Sequence, residues 1–125
     1  MPLPIEAARA AANDDPEFRI AARFWNATIR VSSGDEAYVI TIRDGRITES
    51  TPAAPDAAAD VAIATSEEVW AEILKPIPRP FYNDLTGSMI HHSVTMTGDT
   101  DALLPYYGAW RRIVDLMRAA AGGDS

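Results

Sequence analysis

At 125 residues, 47% hydrophobic and 23% charged, the chain has the material for one ordinary globular core and not for two. Its formal net charge of −7, from 11 Lys+Arg against 18 Asp+Glu, excludes nucleic acid as a primary partner and argues against docking on anionic membranes. With no cysteine, disulfides, thiolate metal sites and a cysteine nucleophile are excluded, and no apolar run reaches the ~18–20 residues of a membrane span.

The opening, Met1 to Asp15, has neither a basic start nor a continuous apolar stretch, so no secretory signal is expected and the expected setting is cytoplasmic. Ile5 to Ala12 favours helix by alanine content. Asn13-Asp14-Asp15-Pro16 can end that helix and cap a second with Pro16 in its first turn. Over Phe24–Val31 the apolar residues Trp25, Ala27, Ile29 and Val31 alternate with polar ones, the period of a strand with one buried face. Tyr38–Arg43 continues the pattern, and Asp44-Gly45 signals a tight hairpin into a strand at Arg46–Ser50. Thr51–Ala59, rich in Pro and Ala, reads as a loop, and Val61, Ile63 and Thr65 alternate in a fourth strand. Short turns between these strands predict an antiparallel meander.

Thr65 and Glu68 have the spacing of a capping box for a helix whose apolar face carries Val69, Trp70, Ile73 and Leu74. Pro76, Pro78 and Pro80 stop it. A fifth strand is expected from Ser88 to about Thr97, ended by Gly98-Asp99, where Asp99 reads as a turn or cap residue. Leu103, Tyr106, Trp110, Ile113 and Met117 then recur at helical steps, widened by Leu104, Tyr107 and Val114, in a last helix from about Asp101 to Ala120. One domain over residues 1–125 is expected, with its core at about 18–120 and a tail at 121–125.

This order of elements resembles the sterol carrier protein 2 family. The match rests on Tyr38-Val39-Ile40-Thr41-Ile42-Arg43-Asp44-Gly45, on Asp60-Val61-Ala62-Ile63-Ala64-Thr65, on Gly87-Ser88-Met89 and on Met96-Thr97-Gly98-Asp99. The resemblance implies an α+β fold in which a five-stranded, mainly antiparallel sheet is covered by helices. It also implies an apolar cavity between the layers that takes lipids, sterols or acyl chains, and no catalytic residues. Two stretches depart from the family's pattern, the long Pro76–Gly87 connection and the Ile90-His91-His92-Ser93 strand extension. The chain is also acidic where peroxisomal members are basic.

His91 and His92 are adjacent on a predicted strand and point to opposite faces, so they cannot share a metal, and no metal is expected. No phosphate loop and no serine-nucleophile signature occurs, so no cofactor is expected. The leading expectation is a binder of an apolar small molecule. Its pocket would be walled by Trp70, Leu74, Ile90, His92, Val94, Met96, Tyr106, Trp110, Ile113 and Met117, with Phe81 and Tyr82 on a portal loop. The first alternative is a small cofactor-independent enzyme on a hydrophobic substrate, with His92 as general base and Tyr82 or Tyr106 as donor. The second is an interaction module or homodimer built on the apolar last helix.

Overall fold

The computed structural model describes residues 3–75 and 94–122. Helix α1, Ile5–Asp14, buries Ile5, Ala8 and Ala12 at helical spacing. Asp15 ends it and caps α2, Pro16–Ala21, by accepting the Phe18 amide at 2.7 Å, with Pro16 at the first helical position.

Strands β1, Ala27–Ser33, β2, Glu36–Arg43, and β3, Arg46–Ala53, run antiparallel in succession. The hairpin between β2 and β3 turns on Asp44 and Gly45 at φ 50° and 76°, the left-handed pair that a two-residue turn demands. A bulge beside Thr41 and Ile42 lets both Ile47 and Ser50 face inward, three residues apart. β3 extends through Thr51, Pro52 and Ala53, which the composition assigns to a loop; as an edge strand it tolerates Pro52, whose missing amide faces no partner strand.

The sheet order is β3-β2-β1-β4-β5, with β4 at Val61–Thr65 and β5 at Thr95–Gly98. The expected meander is corrected here: β4 lies parallel to β1, on the edge of β1 away from β2. Reciprocal bonds tie the two strands together at their start. The Thr28 amide donates to Asp60 Oδ2 at 2.9 Å, and the Asp60 amide donates to Thr28 Oγ1 at 2.8 Å. Arg30 draws in the preceding loop by donating to the Ala57 carbonyl at 2.7 Å. Gly98, at φ 94°, closes β5 against β4 so tightly that a Cβ there would stand 2.7 Å from the Asp60 carbonyl oxygen.

Helix α3, Glu67–Ile73, is capped by Ser66, not Thr65, because Thr65 is still paired in β4. The last helix, α4, is Tyr107–Gly122 and starts later than its apolar spacing suggests. Two single 3-10 turns, Thr100–Ala102 and Leu104–Tyr106, precede it. Pro105 explains the delay: inside an α-helix begun at Asp101 it would lack an amide and clash with the preceding turn. Asp99 caps the first of these turns by accepting the Asp101 amide.

Helices α1 and α4 pack together, α1 also lies on β3, and α2 meets α4. Between them and the sheet lie Phe18, Trp25, Ile29, Val31, Ile40, Ile42, Ile63, Leu103 and Trp110, all within one apolar cluster. Among the described residues no helix is long and apolar enough to cross a membrane.

Candidate functional site

The inward face of the sheet carries Ala27, Ile29 and Val31 on β1 and Val61 and Ile63 on β4, and Met96 of β5 is paired with Ile63. Over this face stand Trp70, Ile73 and Leu74 from α3 and Trp110, Ile113 and Met117 from α4. Val94, Trp70, Leu74, Trp110, Ile113 and Met117 are buried in one continuous cluster, with Met96 and Tyr106 half-buried against it. Local devices fix several of these groups. The Trp70 indole donates to the Ser32 carbonyl at 2.9 Å. Tyr106 stacks on Trp25 with centroids 5.4 Å apart and planes 12° from parallel, and Trp25 in turn donates to the Ala102 carbonyl at 2.7 Å. Arg118 fixes α4 to the end of α3 by donating from Nε and Nη2 to the Ile73 carbonyl at 3.0 and 2.9 Å.

Phe81, Tyr82, Ile90 and His92, together with the proline-rich connection and the start of the expected fifth strand, lie outside the described residues. Of the three candidate acid–base groups, only Tyr106 can be placed, and its ring is engaged by Trp25.

An apolar slot lies between α1, β2, β3 and α4, lined by Ile5, Ala8, Ile40, Ile47 and Ile113, with Arg9 and Ser50 at its side. It is too narrow to admit a water molecule. Among the described residues, Ile113 is the one expected wall residue that lines it. A second feature of the interior is Ser33. It follows Ile29 and Val31 on the inward face of β1, is 1% exposed, and its hydroxyl has no hydrogen-bond partner among the described residues. A buried hydroxyl without a partner is uncommon and is costly for a packed interior. Residue-type reasoning passes over it, because one serine at the end of an alternating strand reads as turn chemistry.

A separate cleft of about 480 Å³ opens on the outside where α2 meets the β2–β3 turn. Asp14, Arg19, Ile20, Arg23, Asp44, Gly45 and Arg46 contribute to its lining. Part of it is legible in the sequence, since Arg19 and Arg23 stand four apart, but only the hairpin brings Arg46 to them.

No family model matches the sequence. No curated protein matches it either. Solved structures do. A crystal structure of sterol carrier protein 2 superposes with a TM-score of 0.75 at 21% identity, covering 91% of this chain and 92% of that one. A conserved hypothetical protein from Thermus thermophilus, linked by name to sterol carrier protein, gives a TM-score of 0.74 at 22% identity over 97% of this chain and 88% of its own. A ubiquinone synthesis protein, UbiJ-SCP2, follows with a TM-score of 0.58 at 12% identity over 90% of each chain. The architecture is therefore an α+β sheet with helices packed on it. More particularly, it is the sterol carrier protein 2 fold.

Proposed function

We propose that the chain binds an apolar small molecule, such as a lipid, acyl chain, sterol or other hydrophobic metabolite, between its sheet and its helices. The observation that carries this reading is the superposition on sterol carrier protein 2 along nine-tenths of both chains. The interior is compatible with it. Trp70, Leu74, Val94, Trp110, Ile113 and Met117 belong to one apolar cluster with Met96 and Tyr106 packed against it; in this reading they wall the pocket, and Met96 and Met117 would contribute flexible side chains that adapt to a guest. Phe81, Tyr82, Ile90 and His92 complete the proposed lining. Ser33 supplies the polar handle, its unpartnered hydroxyl accepting from or donating to a ligand head group.

Native mass spectrometry of the purified protein, before and after mild organic extraction, tests the proposal. A co-purifying hydrophobe lost on extraction, and restored by a fatty acid or sterol, is the expected result. An extracted protein that takes up neither a fluorescent fatty acid nor a fluorescent sterol would overturn it.

A further inference from the structure

Arginines without a carboxylate partner among the described residues gather in one cleft. Among the described residues, Arg9, Lys75, Arg112 and Arg118 each reach a carboxylate. Arg30 and Arg43 donate to backbone carbonyls. Arg19, Arg23, Arg46 and Arg111 do neither, and the first three line the same outer cleft.

The cleft is built, not fortuitous. Its floor is Gly45, at φ 76°, where a Cβ would stand 2.7 Å from the Ala22 carbonyl oxygen. The segment above it is locked to the hairpin. The Gly45 amide donates to the Trp25 carbonyl at 3.0 Å, and the Asp44 amide donates to Asn26 Oδ1 at 3.1 Å. Asn26 Nδ2 donates to the Phe24 carbonyl at 3.1 Å. This network holds Phe24 at φ 70°, a left-handed conformation that is costly for an aromatic residue. The Phe24 side chain itself is 69% exposed, and the neighbouring Ile20 is 77% exposed. The Arg23 guanidinium lies over the Phe24 ring at 4.8 Å. An aliphatic side chain and three guanidiniums thus converge on a concave surface of small-molecule size, and the exposed Phe24 ring adjoins it through its contact with Arg23.

We propose that this cleft binds a small, water-soluble organic phosphate. Its phosphoryl oxygens would meet Arg19, Arg23 and Arg46, and its apolar part would rest on Ile20 and Phe24. Guanidinium forks pair bidentately with phosphoryl oxygens, and several forks need an anion with more than two acceptor oxygens. Asp14 and Asp44 also line the cleft, so its surplus is a single positive charge, and a compact anion suits it better than an extended anionic surface. The net charge of −7 opposes the latter as a whole. This site shares no residue with the apolar interior, so the two proposals stand or fall separately.

Phenyl phosphate is the probe, followed by amide chemical shifts of the full chain in parallel with inorganic phosphate and benzoate at constant ionic strength. Saturable shifts confined to residues 19–24 and 44–46 are expected, with phenyl phosphate binding more tightly than either comparison anion. Arg19→Gln and Arg46→Gln should each weaken it about tenfold, as loss of a charged hydrogen bond does. Phe24→Ala should erase the advantage over inorganic phosphate. All three side chains are exposed, and thermal midpoints measured alongside separate lost binding from lost folding. Shifts that do not saturate, equal binding of benzoate, or unchanged affinity in the folded Arg19→Gln/Arg46→Gln double variant would overturn the proposal. So would sedimentation with phosphatidylglycerol vesicles in the absence of any phenyl phosphate binding.

Discussion

Arg112 on α4 grips Asp15 at the head of α2 with two parallel bonds, Nε to Oδ2 and Nη2 to Oδ1, each 2.9 Å long, across 97 residues of chain. The same carboxylate accepts the Phe18 amide, so a single side chain both starts α2 and ties it to the last helix. Glu17 adds a second carboxylate 3.0 Å from Arg112 Nε.

That arrangement sets a pH dependence. The hydrogen-bonded Arg112 guanidinium holds the Asp15 carboxyl below the usual carboxylate range, opposed by partial burial and helped by the Phe18 amide. A pKa lowered in the folded state means that folding favours the ionised form. Its stabilising contribution is full above the unfolded value of about 3.9 and is lost as pH falls through the lower folded value. Asp15→Asn keeps an oxygen for the cap but gives up the ion pair. It should be less stable than the parent at neutral pH, and the gap should narrow as pH falls below about 4. Urea midpoints of both proteins, measured from neutral pH down to about 2.5, check this. A gap that stays constant would refute the assignment.

Two glycines should respond in opposite ways to the same change. Gly45→Ala places a methyl group against the Ala22 carbonyl at a left-handed position. The strain alone is worth about 1–2 kcal/mol, before the clash is counted. Gly108, in the first turn of α4, has nothing within 4 Å of an added Cβ, and Gly108→Ala should stabilise by about 0.5–1 kcal/mol. Denaturant unfolding of both variants measures the contrast. A neutral Gly45→Ala would mean that the hairpin and the segment above it are not locked together.

What the sequence made legible follows from what leaves a periodic trace. Trp25, Ala27, Ile29 and Val31 alternate, and all four are buried; Trp110, Ile113 and Met117 recur at helical spacing, and so are they. The partner of β4 leaves no such trace, because it is set by Thr28 and Asp60 exchanging side-chain bonds 32 residues apart. Alternation tells which face of a strand is wet, not which neighbour it takes. The start of α4 was obscured because Leu103 and Tyr106 suit helix and 3-10 turn equally, and Pro105 decided between them. The candidate site is less legible for a physical reason. A ligand wall and a packed core draw on the same residues, so the buried Trp70 or Met117 looks alike in either. Ser33 escapes a reading of residue types because it is marked out by the lack of a partner among the described residues, and the arginine cleft is only half legible because the hairpin alone brings Arg46 to Arg19 and Arg23.

Trp70 measures how rigidly α3 is held on the sheet. The residue is 2% exposed, and its indole bonds the Ser32 carbonyl. Trp70→Phe removes that hydrogen bond and leaves a void, for an expected loss of about 2–3 kcal/mol in urea unfolding. A loss below about 0.5 kcal/mol would show that α3 relaxes to refill the space.

Ser33 separates the demands of folding from those of binding. Its buried hydroxyl has no partner among the described residues, so Ser33→Ala removes a polar group that they leave unsatisfied. The unliganded variant should be as stable as the parent or more stable, by up to about 1 kcal/mol. A ligand whose head group uses that hydroxyl should then bind Ser33→Ala about five- to tenfold more weakly, as loss of one hydrogen bond predicts. Thermal shift reports both effects. A ligand at about 100 times its Kd adds about 2.7 kcal/mol to stability, and the added shift should be smaller in the variant at equal ligand concentration. A hydrocarbon probe with no head group should bind parent and variant alike. If head-grouped and bare ligands lose affinity equally, Ser33 is a packing residue and the polar end of the ligand lies elsewhere in the interior.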